Sequence, residues 1–202
     1  PRRLGGDHVS VVVICPVKDS SPGPCLQSAF ALAAFLQGIG ERPRMQTTWL
    51  CSNLAKARMI LVREALDSRA DHILFLDDDI VHTPNDFATL QAADVDIISG
   101  AYSFREPGGT TIGYPLDGGE QRGRCLEMLS IGLGYCLVKR AALVRLVEAH
   151  GDGLFEFRHD GQRHVGEDEA FSSRWRSLSG QLWLHTAVQL GHVGPHIFRS
   201  GS

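Results

Sequence analysis

Three consecutive carboxylates, Asp77-Asp78-Asp79, follow directly on the apolar run Ile73-Leu74-Phe75-Leu76. Such a run reads as a strand buried on both faces, which puts the acids at its carboxyl end. In open α/β sheets ligands bind at that edge. Adjacent acids in a partly dry site repel one another by several kcal/mol, on the order expected for like charges at low dielectric, unless a cation stands between them. A divalent metal is the natural occupant. Hard cations take oxygen ligands and commonly bridge to phosphates, so the spacing points to a metal–phosphate site. Three further stretches carry polar or backbone chemistry. Gly132-Leu133-Gly134 would let a ligand approach the backbone closely. Gly166-Glu167-Asp168-Glu169 opens a helix whose dipole its acids also complement. A late turn, Leu190-Gly191-His192-Val193-Gly194, supplies an imidazole.

These groups need a sheet to bring them together, and the chain reads as alternating strands and helices. Residues 9–15 are β-branched and apolar, and Pro16-Val17-Lys18-Asp19 forms a loop at the end of that first strand. Ser21 and Pro22 have helix-start chemistry, and the following apolar-rich run ends at Gly38. That loop contains neither Gly-x-Gly-x-x-Gly nor Gly-x-x-x-x-Gly-Lys-[Ser/Thr], which counts against a Rossmann dinucleotide site and a P-loop. Residues 44–50 read as a second strand. Ser52-Asn53 caps a helix in which Leu54, Ala57, Leu61 and Ala65 share a face while Lys56, Arg58 and Arg63 project elsewhere. Thr83-Pro84-Asn85-Asp86 is a strong helix start, and residues 96–99 make the next strand. Residues 103–124 are rich in Gly, Pro and charge and predict an extended loop or irregular hairpin of the lid type. Strands at 126–131 and 135–138, a helix at 139–150 closed by Gly151, a helix from Gly166 to Gly180 and strand character at 182–190 complete the pattern.

At 202 residues, 43% hydrophobic and 21% charged, the chain fits one domain, residues 1–202, with a sizeable core. A net charge of −3 gives no basic field, so nucleic acid is not implied as a partner, although it is not excluded as an acceptor. Five scattered cysteines without Cys-x-x-Cys spacing argue against a disulfide framework or zinc knuckle and for a reducing, cytoplasmic setting. No apolar run approaches the ~20 residues of a membrane span. The absence of an initiator Met points to a trimmed start or a longer parent chain.

Taken in order, Val11-Val12-Val13-Ile14-Cys15-Pro16, Asn53-Leu54-Ala55-Lys56-Ala57-Arg58, the Asp77-Asp78-Asp79 strand end, Gly132-Leu133-Gly134-Tyr135, Gly166-Glu167-Asp168-Glu169 and Leu190-Gly191-His192-Val193-Gly194 resemble the segments of GT-A fold glycosyltransferases of the family-2-like, Asp-x-Asp type. The resemblance covers nearly the whole chain. It implies an open, mostly parallel sheet flanked by helices and a metal-dependent, hexosyltransferase-type transfer from a nucleoside-diphosphate sugar, UDP-linked before GDP-linked, to an acceptor hydroxyl. By that similarity Asp79 ligates Mn2+ or Mg2+, Asp77 contacts ribose or metal, Asp78 adjoins the nucleotide and His192 completes the ligands. Asp168, with Glu167 beside it, stands where the family has its catalytic base. Pro16, Val17 and Lys18 would line the nucleotide pocket, Arg58 would reach toward base or phosphate, and Gly134 would lie beside the donor sugar. Two other readings compete. A haloacid dehalogenase-type phosphatase also needs Asp-x-Asp after an apolar strand, though normally after its first. A metal-dependent nucleotide- or sugar-binding module without chemistry would keep the ligands alone.

Overall fold

The computed structural model describes residues 10–17, 20–49, 53–105, 109–159, 161, 164–194 and 197–199. Their order is β1 (Val11–Val17), α1 (Gly23–Gly38), β2 (Pro43–Trp49), α2 (Leu54–Asp67), β3 (His72–Leu76), β4 (Ile80–Val81), α3 (Pro84–Ala92), β5 (Ile97–Ala101), β6 (Gly113–Pro115), β7 (Gln121–Arg122), β8 (Cys125–Ile131), β9 (Tyr135–Lys139), α4 (Arg140–His150), a 3-10 turn (Gly151–Phe155), β10 (Arg158–His159), β11 (His164–Val165), α5 (Glu167–Ser177), β12 (Leu182–Gln189), β13 (Gly191–Val193) and β14 (Ile197–Arg199).

The central sheet runs β2-β1-β3-β9-β5-β12-β8-β6, with β7 also on β8. Strands β2, β1 and β3 are parallel, as are β5 and β12. Among the described strands of this sheet, β8 and β9 alone run against the others. The result is an α/β fold, a mostly parallel sheet flanked by helices. Period-two alternation accounts for the unbroken apolar runs. Val12, Ile14, Ile73 and Phe75 point into a core layer closed by Leu61 of α2, Leu143 and Leu146 of α4, and Phe171 and Trp175 of α5. Val11, Val13, Leu74 and Leu76 point to the opposite layer, closed by Leu32 and Leu36 of α1 and Phe87 and Leu90 of α3.

Local chemistry sets the ends of the helices. Asn53 caps α2 by accepting from the Lys56 N–H at 3.0 Å, Asp86 reaches back to the Thr83 N–H at 2.7 Å to open α3, and Gly151 at φ 55 closes α4. Helix α1 starts at Gly23, one residue later than Ser21 and Pro22 suggested, and the Ser21 hydroxyl does not cap it. That hydroxyl donates to the Asp78 carbonyl at 2.8 Å and so ties the end of the β1–α1 loop to the acidic turn. The strand character expected over residues 182–190 is β12; beyond it β13 leaves the main sheet and joins β4 and β14 in a small antiparallel sheet. Residues 103–124 carry β6 and β7 and a bridge between Ser103 and Thr111. No helix among the described residues is long and apolar enough to cross a membrane.

Phe75 is 1% exposed and its ring meets those of Phe155 and Phe171, each at 6.0 Å. Phe75→Ala is expected to cost about 3–5 kcal/mol in urea unfolding. A loss below about 1 kcal/mol would show that this layer does not hold β3 in place.

Candidate functional site

Strand β3 ends at Leu76, and the chain is fixed at once by the Asp77 N–H, which donates to the Gly134 carbonyl at 2.9 Å. The Asp77 carboxylate turns toward α2. There Arg58 donates from Nη2 to both of its oxygens, at 2.9 and 3.2 Å, and from Nη1 to Glu167 at 3.0 Å and Asp168 at 2.7 Å. Arg58 is 1% exposed. Burial by itself would lower the guanidinium's pKa, but Asp77, Asp168 and Glu167 together drive it well above its ordinary value. Three carboxylates against one cation leave the cluster acid-rich. Asp168 is pushed up to about 6, chiefly by burial, with Glu167 and Asp77 adding and Arg58 opposing. Its other oxygen accepts from the Leu133 N–H at 3.2 Å. The expectation that Arg58 projects off the apolar face and reaches toward a nucleotide needs correction. It follows Leu54 by four residues and precedes Leu61 by three, which places it on the buried stripe, beneath the acids.

A second cluster forms around Asp79. β13 pairs with β4 so that His192 lies opposite Ile80, and the Val193 N–H donates to the Asp79 carbonyl at 2.8 Å. The small sheet thereby sets His192 beside the acidic turn, with Nε2 3.6 Å from Asp79 Oδ1. His192 Nδ1 lies 2.8 Å from the Ser103 carbonyl, a contact that requires the proton on Nδ1 and leaves the Nε2 lone pair facing Asp79. Burial holds this imidazole below its usual pKa, and Arg105 acts in the same direction. Arg105 donates from Nε to His192 Nε2 at 3.0 Å and forms an ion pair with Asp79. Asp79 Oδ1 is buried without a hydrogen-bond partner. An imidazole nitrogen and an orphaned carboxylate oxygen facing one another fit a divalent cation of the Mn2+ or Mg2+ kind. Among the described residues no three His, Cys, Asp or Glu side chains converge as ligands. A cation here would take two protein donors and complete its shell from substrate oxygens and water, as Mg2+ commonly does.

Between the clusters lies Tyr102. The Gly134 N–H donates to its hydroxyl at 2.8 Å. A Cβ on Gly132 would sit 2.2 Å from that hydroxyl, and one on Gly134 would sit 2.8 Å from the ring and 3.2 Å from Asp77 Oδ2. Both glycines are therefore required by the buried tyrosine. On the far side of Asp168 an open cleft of about 590 Å3 runs between residues 110–115, β8 and the start of α5. Phe104, Tyr114 and Met128 line it, with Glu167, Asp168 and Glu169 on its wall. Of the remaining predicted positions, Val17 is buried, Pro16 is half-buried, Asp78 is half-buried at the turn held by Ser21, and Lys18 lies outside the described residues. Sequence reasoning did not single out Arg105 or Tyr102, although one lies within and the other just before the stretch read as a lid, and it gave Ser21 only a helix-start role.

No protein-family profile and no curated protein matches the chain. Solved structures do match its fold. A197 from STIV superposes with TM-score 0.63 at 18% identity, covering 96% of this chain and 95% of that one. A glycosyltransferase involved in glycosylation of the major capsid of PBCV-1 gives 0.53 at 12% identity over 88% and 81% of the two chains. A mutant Drosophila β1,4-galactosyltransferase 7 in complex with manganese, UDP-Gal and xylobiose gives 0.53 at 13% over 95% and 70%. At these identities the likeness is one of fold, the GT-A-like sheet and its flanking helices.

Replacing Arg58 by Met leaves Asp77, Glu167 and Asp168 without their shared cation. The expected loss is about 3–5 kcal/mol near neutral pH. The abandoned acids then have folded-state pKa values above their unfolded ones, so the penalty grows as pH rises past the unfolded values and shrinks as pH falls. Urea unfolding at pH 5 and pH 7.5 should therefore give the smaller deficit at pH 5. An equal deficit at both would mean that packing rather than charge is lost.

Proposed function

We propose that the protein is a divalent-cation-dependent glycosyltransferase of the hexosyl type, moving a sugar from a nucleoside-diphosphate sugar to an acceptor hydroxyl. The observation that carries this reading is a division of labour at one sheet edge. Asp168, with its raised pKa, borders an open cleft, while a separate carboxylate–imidazole pair, Asp79 and His192, faces a common point. The fold neighbour that holds manganese and UDP-Gal supports Mn2+ as the cation and a UDP-sugar as donor.

In this reading the nucleotide lies over the end of β1 at Pro16 and Val17, with Lys18 next in sequence. Asp78 faces its ribose and phosphates, Asp77 being held on Arg58, and Gly134 adjoins the sugar. The acceptor enters by the cleft and meets Asp168, with Glu167 held beside it on Arg58. Asp168 takes the proton of the acceptor hydroxyl as that oxygen bonds to the anomeric carbon. The bond from that carbon to the diphosphate oxygen breaks, and the diphosphate leaves with the electron pair. A cation bound at Asp79 and His192 would supply Lewis-acid neutralisation of the leaving diphosphate. Residues 103–124, which carry part of the cleft wall, would keep water from the activated sugar. The phosphatase reading is disfavoured because Asp77, at the end of the third strand, is committed to Arg58.

Three outcomes are expected. UDP binding measured by calorimetry tightens with Mn2+, and this dependence disappears in Asp79→Asn; binding that ignores the metal would sink the reading. Asp168→Asn keeps UDP affinity but loses about 10²–10⁴-fold in sugar transfer from a UDP-sugar panel. Because the base must be ionised, kcat/KM in the wild type should rise with pH through about 6, and a flat profile over pH 5–8 would remove Asp168 from that role.

A further inference from the structure

Arg105 itself has no part in the chemistry above, yet it touches both proposed cation ligands. Its Nε donates to His192 Nε2 at 3.0 Å, and its Nη2 pairs with Asp79 Oδ2. The first contact consumes the lone pair that would ligate a metal, and the second partly neutralises the carboxylate that would hold one. We infer that Arg105 is a tethered counter-cation that fills the Asp79–His192 site and yields it to a divalent ion. This rests on reading Asp79 and His192 as cation ligands.

Three observations make the exchange physically reasonable. First, the ligands are pre-set without the arginine. The Ser103 carbonyl, 2.8 Å from His192 Nδ1, fixes the tautomer, and the Val193 N–H fixes the Asp79 backbone, so withdrawing Arg105 leaves Nε2 and the carboxylate aimed at one another. Second, Arg105 is only loosely committed. Its side chain is 47% exposed, whereas Asp79 and His192 are 16% and 13% exposed. Among the described residues, backbone pairing of its segment reaches Phe104, whose N–H donates to the Thr110 carbonyl at 3.2 Å, and Arg105 is the next residue. A guanidinium can swing to water at small cost, because half-exposed pairs contribute little net stability. Third, the site has unused capacity. Asp79 Oδ1 is buried with no hydrogen-bond partner although Oδ2 is engaged. A compact divalent ion can contact that oxygen and Nε2 together, which the planar fork does not do. The two cations cannot share the position, since a guanidinium and a divalent ion within about 4 Å repel strongly in a partly desolvated site.

The consequence is a site that carries its own counter-charge when metal-free and binds metal by competition. Mn2+ alone, with no nucleotide, is titrated by calorimetry into wild type, Arg105→Gln, Arg105→Lys and Asp79→Asn, and each is melted in chelator and in saturating Mn2+. Arg105→Gln should bind Mn2+ about tenfold more tightly than wild type, the factor expected for removing a competing pair of modest strength. Arg105→Lys, which keeps the charge without the fork, should fall between them. Asp79→Asn should lose binding. In chelator Arg105→Gln should melt below wild type, and Mn2+ should erase that gap. If Asp79→Asn loses Mn2+ while Arg105→Gln and wild type bind it equally, the tethered-cation role is wrong and the metal site stands. If Asp79→Asn binds as wild type does, the reading of the site itself fails.

Discussion

The arrangement depends on one buried charge. Moving a guanidinium to 1% exposure is tolerable only if carboxylates replace its water, and here they come from two places, the end of β3 and the first turn of α5. Helix α2 is fixed on the sheet by its apolar stripe, so Arg58 becomes a fixed point against which the two acidic segments are measured. The same crowding explains the chemistry attributed to Asp168. One cation cannot satisfy three acids, and burial, with Glu167 and Asp77 adding, pushes Asp168 up to about 6 against the pull of Arg58. Stability and basicity thus have a common origin, and neither can be altered through Arg58 without the other.

What was legible in the sequence follows from how local each signal is. Ile73 to Leu76 announces a two-face-buried strand because period two leaves no polar position in it, and Asn53 and Thr83 announce helix starts because a cap acts within one turn. The placement of β9 between β3 and β5 was not legible. β8 and β9 both run against the rest of the sheet, so the chain passes from one into the other through Gly132-Leu133-Gly134 without reversing. That is decided by pairing with strands far away in sequence. The role of Arg58 was half legible. Its spacing from Leu54 and Leu61 marks the buried face, but its charge argues for solvent, and only the acids arriving from β3 and α5 decide between the two.

The glycines show a similar shift of cause. A glycine pair near an acidic turn suggests room for a ligand, whereas the contact that requires these two is Tyr102, whose hydroxyl receives the Gly134 N–H and whose ring occupies the volume of both missing side chains. The tyrosine in turn precedes Ser103, the residue whose carbonyl orients His192. A packing constraint in the core layer therefore reaches the imidazole through the adjoining peptide and through the Tyr102 ring, which meets the His192 ring edge-on at 5.5 Å.

Two arginines meet aspartates of the same turn, and exposure separates their roles. Arg58, at 1% against 47% for Arg105, cannot leave without stranding charge in the interior, so its acids are permanently neutralised in part and cannot serve a transient cation. Arg105 can leave to water, and the acid it releases is the one next to an imidazole of fixed tautomer. Alternating the acids along the turn achieves this. Asp77 and Asp79 are two residues apart, so one faces the helix and the other the small sheet, and a charge that is structural on one side becomes exchangeable on the other. A single aspartate could not meet both demands, since a carboxylate held hard enough to bury Arg58 is no longer available to a metal.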